Sequence, residues 1–300
     1  MNVRKLRTVA AILLALVLAA AFSPGRCLAD EPGNAVLSTP VQYAQVNGAT
    51  IGYRVIGQGE PLLCVMGYGG AMDVWDPAMI ASLARQFTVI LFDNRGVGYS
   101  NASEAPFSIR LFAEDASGLL DALNIESAHV LGWSMGAIIG LELALDRPDK
   151  VRKLILYGAV PDNVLVMRAV ESFAKLPPGG FKDRLFPKGW LALHPGVFDN
   201  LPSPARPAGP DIIARQRQAI ENWPGVVDAL PGLAKETLLV YGEEDDVTPV
   251  SEGLRMAGVI RGSWLARFPG GGHWLMYQAP EQMAGLIALF LRDQENLLAK

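Results

Sequence analysis

Cysteine and histidine are both scarce in this chain. Its 300 residues include 2 Cys and 3 His, too few and too scattered for a disulfide framework or a Cys/His metal cluster. Cys27 falls in a leader-like segment. Cys64 then stands alone in an apolar run, and it reads as a small buried apolar residue rather than a nucleophile. Positive charge is also lacking. The formal net charge is −4, no stripe of Lys and Arg appears, and a negative field repels polyanions, so no nucleic-acid partner is expected. There is no internal repeat and no low-complexity tract. Charged residues make up only 19% of the chain against 50% hydrophobic, which suits a globular protein with a sizeable core.

The N-terminus has Arg4, Lys5 and Arg7, then an apolar run from Thr8 to Phe22, then Ser23 to Ala29. A charged start, an apolar core of about 15 residues and small residues before Asp30 read as a cleavable secretory signal, since a spanning helix needs about 20. Cleavage after Ala29 is expected, with an uncleaved N-terminal anchor as the alternative. Arg26 argues against a lipid anchor on Cys27. Loss of residues 1–29 removes four cations and no acids, taking the net charge from −4 to −8. The mature protein is expected to be secreted or periplasmic, with no stable membrane association.

Gly132-Trp133-Ser134-Met135-Gly136 lies between an apolar strand, 128–131, and a helix-like stretch, 137–145. A serine on a tight strand-to-helix turn presents its hydroxyl above the sheet, and the flanking glycines let the backbone double back. Ser134 is the candidate nucleophile. A serine hydroxyl needs a histidine to take its proton and a carboxylate to orient that histidine. His129 sits on the same strand as Ser134 and reads as structural. His194 lies in a Trp/Leu/Pro-rich insertion. His273 follows Gly270-Gly271-Gly272 after a strand-like run, and a glycine-rich loop there can carry an imidazole over the sheet edge. For the acid, the strand run 237–241 ends in Gly242-Glu243-Glu244-Asp245-Asp246. Acids beyond the carboxyl end of a parallel strand lie where ligands bind in open sheets. Asp245 is preferred, with Asp246, Glu244 and Asp162 as rivals.

The order Ser134, Asp245, His273 resembles that of the α/β-hydrolase superfamily, in its small cap-bearing branch of serine esterases, lipases and cofactor-free haloperoxidase-like enzymes. The resemblance spans roughly residues 40 to 298. It rests on the loop Gly67-Tyr68-Gly69-Gly70, the turn Asp93-Asn94-Arg95-Gly96, the Ser134 elbow, and Gly242-x-x-Asp245-x-x-x-Pro249 followed by His273. It implies Asp245 over Asp246, and an oxyanion hole from the amides of Met135 and Tyr68. Met66 stands where many relatives have His. The Asp93–Ser100 turn lacks the spacing of a phosphate-binding loop; within the resemblance it is structural, with Arg95 paired to a neighbouring acid.

The chain alternates strand and helix patterns, which predicts an eight-stranded, mostly parallel α/β sheet flanked by helices. Strands are predicted near 42–47, 50–56, 62–66, 87–92, 128–133, 152–158, 236–241 and 264–268. Helices are predicted near 75–86, 109–123, 135–147, 250–259 and 280–298. Asn47-Gly48 marks an edge hairpin. The proline-rich stretch 161–231 breaks the rhythm and is expected to be a cap inserted after the sixth strand, dividing the core into 30–160 and 232–300. Phe173, Phe181, Phe186, Trp190 and Leu193 either line a pocket or form the cap's own small core. Trp133, Phe173, Trp190 and Trp274 are the candidate substrate contacts.

The resemblance implies hydrolysis of carboxylic esters of fairly apolar small molecules through an acyl-enzyme, with no metal or organic cofactor. Peracid formation, amide hydrolysis and carbon–carbon bond hydrolysis use the same residues. A ligand-binding receptor on a hydrolase scaffold is the alternative from another class.

Overall fold

The computed structural model describes residues 36–173, 175–176 and 184–293. The expected signal peptide, Phe181, the Phe173 side chain and the expected helix end at 294–298 lie outside the described residues. Eight strands form one sheet: β1 (Gln42–Val46), β2 (Ala49–Ile56), β3 (Glu60–Val65), β4 (Phe87–Phe92), β5 (Ala128–Trp133), β6 (Val151–Tyr157), β7 (Thr237–Gly242) and β8 (Trp264–Phe268). Their spatial order is β1-β2-β4-β3-β5-β6-β7-β8. β1 pairs antiparallel with β2, β2 pairs antiparallel with β4, and every other pair is parallel. The edge hairpin turns at Asn47 (φ 47°) and Gly48 (φ 74°), the two left-handed positions of a tight primed turn.

The helices between and after these strands are α1 (Pro77–Ala84), α2 (Ile109–Ala122), α3 (Met135–Asp146), α4 (Val164–Phe173), α5 (Lys188–Leu193), α6 (Pro210–Glu221), α7 (Val250–Ala257), α8 (Leu275–Gln278) and α9 (Pro280–Arg292). Side-chain caps start two of them. Asp76 Oδ1 accepts from Met79 N at 2.7 Å, and Ser108 Oγ accepts from Leu111 N at 3.0 Å, each satisfying an amide the helix leaves free. The sequence pattern gives the helix from Pro280 but not α8 before it; Pro280, without an amide proton, starts the second helix where the first stops.

The strands at the centre of the sheet are buried on both faces, so they read as near-continuous apolar runs. Alternate residues feed two separate cores. Leu63, Val130, Leu154 and Leu239 pack on one side with α2 and α3; Leu62, Leu131, Ile155 and Leu238 pack on the other with α1 and α9. Cys64, fully buried in the second of these, has its thiol pKa pushed up by burial. α4, α5 and α6 all arise between β6 and β7, within the segment expected to be inserted. This segment, through α6 and the connections between its helices, contacts the loops at the carboxyl ends of the strands. Trp274 N donates to Leu185 O at 2.9 Å, Gly69 N to Gln216 Oε1 at 2.8 Å, and Ala205 N to Asp73 Oδ2 at 3.1 Å.

Candidate active site

Ser134 stands between β5 and α3 with φ 56° and ψ −120°, a left-handed conformation that L residues avoid unless their surroundings enforce it. Enforcement comes from packing on both sides. A Cβ on Gly132 would lie 2.2 Å from Gly136 O, and one on Gly136 would lie 2.0 Å from Val65 O. Ser134 N donates to Tyr157 O at 2.8 Å, so the elbow is tied to the neighbouring strand. Ser134 itself is half-buried.

The structure brings the three residues expected to act together into one line. His273 Nε2 lies 3.0 Å from Ser134 Oγ, and His273 Nδ1 lies 2.8 Å from Asp245 Oδ2. A carboxylate on Nδ1 holds that nitrogen's proton and leaves Nε2 free to accept from the serine. Asp245 is buried and well supplied with donors. Its Oδ1 accepts from Val247 N at 2.8 Å and Thr248 N at 2.9 Å, and its Oδ2 accepts from Thr248 Oγ1 at 2.8 Å. The rival acids lie elsewhere. Asp246 is exposed and pairs with Arg184, Glu244 is exposed, and Asp162 pairs with Arg255.

Glycines explain how the acid and histidine loops meet. A Cβ on Gly242 would lie 2.2 Å from Gly271 O, so only glycine lets the two backbones approach this closely. Glu243 N and Glu244 N then donate to Phe268 O and Gly271 O, joining the loops after β7 and β8. His273 is also seated through its carbonyl, which accepts from Tyr157 Oη at 2.6 Å and Trp133 Nε1 at 3.1 Å.

The two amides expected to form the oxyanion hole have no hydrogen-bond partner among the described residues. Met135 N opens α3, where the first amides of a helix have no internal acceptor and the dipole favours an anion. Tyr68 N follows Gly67, which packs so closely on the elbow that a Cβ there would be 3.2 Å from Ser134 Cβ. Gly69 N is taken by Gln216, whereas Tyr68 N is not. Met66 is fully buried beneath the loop, against Gly70, and Asn94 Nδ2 donates to its carbonyl at 3.1 Å.

A chain of aromatic contacts begins at His273. The Trp133 ring lies 5.2 Å from the His273 ring, Trp274 lies 6.3 Å from Trp133, and Phe186 bridges Trp274 at 5.6 Å and Trp190 at 4.9 Å. Phe173 is in α4, on the same inserted segment. His194 is exposed and stacks on Trp190 at 4.0 Å. His129 is buried in β5, near Phe87 and 3.4 Å from Glu60 Oε2, where burial lowers its pKa.

The Asp93 turn is structural in its contacts. Asp93 accepts from Met72 N at 2.6 Å and Tyr99 N at 2.8 Å, and burial pushes its pKa up to about 6. Arg95 reaches Asp115 on α2 through two hydrogen bonds, at 2.6 and 2.5 Å. Sequence reading missed three supporting residues: Thr248, Tyr157 and Gln216. Thr248 stands in the pattern beside Asp245 and could have been found; the other two are brought in by tertiary packing alone.

The family described as the α/β-hydrolase fold matches residues 60–190. The chain is 29% identical over 245 residues to the protein named "Putative carbamate hydrolase RutD" of Azorhizobium caulinodans, covering 75% of this chain and 90% of that one. It is 28% identical over 263 residues to a 2-hydroxymuconate semialdehyde hydrolase of Pseudomonas sp., covering 80% and 89%. A solved α/β-hydrolase-fold protein from Chitinophaga pinensis superposes with a TM-score of 0.76 at 27% identity, covering 86% and 98%. These likenesses support hydrolase activity. Together with the order of the eight strands, they establish that the chain belongs to the α/β-hydrolase superfamily.

Proposed function

We propose that this protein is a serine hydrolase that cleaves carboxylic esters of fairly apolar small molecules through an acyl-enzyme. The observation that carries the reading is the continuous Ser134, His273, Asp245 chain, with spacings of 3.0 and 2.8 Å. Ser134 Oγ attacks the ester carbonyl while His273 Nε2 takes its proton. The Met135 and Tyr68 amides hold the negative charge that develops on the carbonyl oxygen, each worth about 3 kcal/mol of the barrier. His273 then gives the proton to the leaving alcohol. Water repeats the sequence on the acyl-enzyme, and Asp245 holds the imidazole in register throughout.

Trp133, Phe173, Trp190 and Trp274 are the proposed substrate contacts. Their apolar surfaces suit an uncharged acyl or alcohol group, and the inserted helices exclude water from it. The leader sequence supports a secreted or periplasmic site of action. A fluorophosphonate probe tests the chemistry: it is expected to label the wild type and to fail with Ser134→Ala and His273→Ala. An unlabelled, well-folded wild type overturns the proposal and favours the receptor reading.

A second reading is carbon–carbon bond hydrolysis on the same residues, supported by the likeness to 2-hydroxymuconate semialdehyde hydrolase. A protein that reacts with the probe but turns over no ester across a panel of acyl lengths moves the assignment there.

A further inference from the structure

We propose that Gln216 is a positioning residue for the oxyanion turn, fixing from the inserted helix α6 the orientation of the turn's central peptide. The proposal rests on the serine-hydrolase reading above. Gly70 N donates to Gly67 O at 3.1 Å, closing a four-residue turn. Its third residue, Gly69, has φ 68°, while its second, Tyr68, is not among the residues of positive φ. That combination is a type II turn.

Types I and II share the closing hydrogen bond and differ by a half-rotation of the peptide between the second and third residues, here Tyr68 C=O and Gly69 N–H. Glycine accepts either sign of φ, so the third position does not choose between the two states. The choice comes from across the cleft. Gln216 Oε1 accepts from Gly69 N at 2.8 Å, and a flipped peptide would turn the Tyr68 carbonyl oxygen towards that acceptor. Tyr68 Oη adds a second tie by donating to Ile213 O at 3.2 Å. Ile213 and Gln216 are three residues apart on α6 and therefore share one helix face.

Packing alone does not explain a glutamine here. The side chain is fully buried, and its Nε2 has no partner among the described residues. Methionine would fill a similar volume without stranding a donor. The acceptor end is what the position uses. Because the rotating peptide shares the Tyr68 α-carbon with the proposed oxyanion donor, releasing it loosens an amide that must be held to within about half an ångström to stabilise charge. The oxyanion turn is therefore completed only when α6 lies against it, which couples the inserted segment to the chemistry.

The test compares wild type, Gln216→Met and Ile220→Ala, the last a truncation at a fully buried position of α6 that lowers stability while leaving Gln216 and its hydrogen bond to Gly69 in place. With p-nitrophenyl acetate, Gln216→Met is expected to lower kcat about tenfold with KM within about twofold, and to weaken a boronic acid inhibitor by a similar factor. Its Tm should stay close to that of the wild type, and its Gly67–Gly70 amides should exchange with deuterium faster. Ile220→Ala should lower Tm and leave kcat within about twofold. The proposal is overturned if Gln216→Met keeps wild-type kcat, if exchange at the turn is unchanged, or if Ile220→Ala loses kcat equally. A wild type inert to esters and to fluorophosphonate sinks the hydrolase reading instead. Amide exchange then still decides the lock, faster in Gln216→Met supporting it and unchanged exchange overturning it.

Discussion

The Thr248 hydroxyl lies 2.8 Å from Asp245 Oδ2 and 3.2 Å from His273 Nδ1. Thr248 thus touches both members of the acid–base pair while remaining almost fully buried. Thr248→Val keeps the shape and removes the hydroxyl. A hydrogen bond to a charged group contributes about 1.5–3 kcal/mol, and part of that should appear in the barrier as a fall in kcat of about tenfold. Steady-state kinetics on a short-chain ester check this; an unchanged kcat rules out a supporting role for the threonine.

Ser134→Gly separates stability from chemistry. The native φ of 56° and ψ of −120° at this position strain a serine but suit glycine, so the variant should gain about 1 kcal/mol in urea unfolding, the relieved strain exceeding the entropy cost of glycine. It should lose all fluorophosphonate labelling. A destabilised variant would show that the elbow is not strained.

The buried pair Arg95 and Asp115 predicts strong coupling. Asp115→Leu alone leaves a guanidinium in the interior with only the Ser103 hydroxyl and the Asn47 carbonyl as acceptors, at a cost of about 3–5 kcal/mol. The double variant Arg95→Met with Asp115→Leu should cost clearly less than the two single variants combined. A double-mutant cycle by denaturant unfolding measures this, and additive losses would contradict it.

His129 and Asp93 give opposite pH responses. Burial lowers the folded pKa of His129, so the unfolded chain takes up the proton more readily, and stability is lost as pH falls through the unfolded value of about 6.5. Asp93 is raised to about 6, so protonation favours the folded state and stability is gained as pH falls from about 6 towards 4. The difference in unfolding free energy between wild type and His129→Leu should therefore shift in favour of the leucine variant between pH 7.5 and 5.5. A flat difference across that range would show that the ring does not titrate on unfolding.

The eight strand segments and the Ser134, Asp245 and His273 positions were legible because each is written locally. Apolar runs, glycine pairs and an acid after β7 need no long-range information. Tyr157 and Gln216 were not legible for the opposite reason. Tyr157 is an ordinary strand residue until the loop after β8 places the His273 carbonyl 2.6 Å from its hydroxyl, and Gln216 is one polar residue on an amphipathic helix until α6 meets Gly69. The expected division at residues 161–231 was drawn from proline content. Its position after the sixth strand led to the expectation of a cap, but composition does not give the contacts its helices make, because amphipathic pieces reveal a face to bury and not the surface that buries it.

Trp133 immediately precedes Ser134, and its indole nitrogen holds the main chain of His273. Nucleophile and base are consequently referenced to the same strand end, as two tools mounted on one bracket. Breathing of the sheet should carry both together and leave their spacing nearly constant. Motion of the inserted helices is measured against a different frame, so heating or mutation that loosens those helices should alter which molecules enter well before it alters proton transfer between the two side chains.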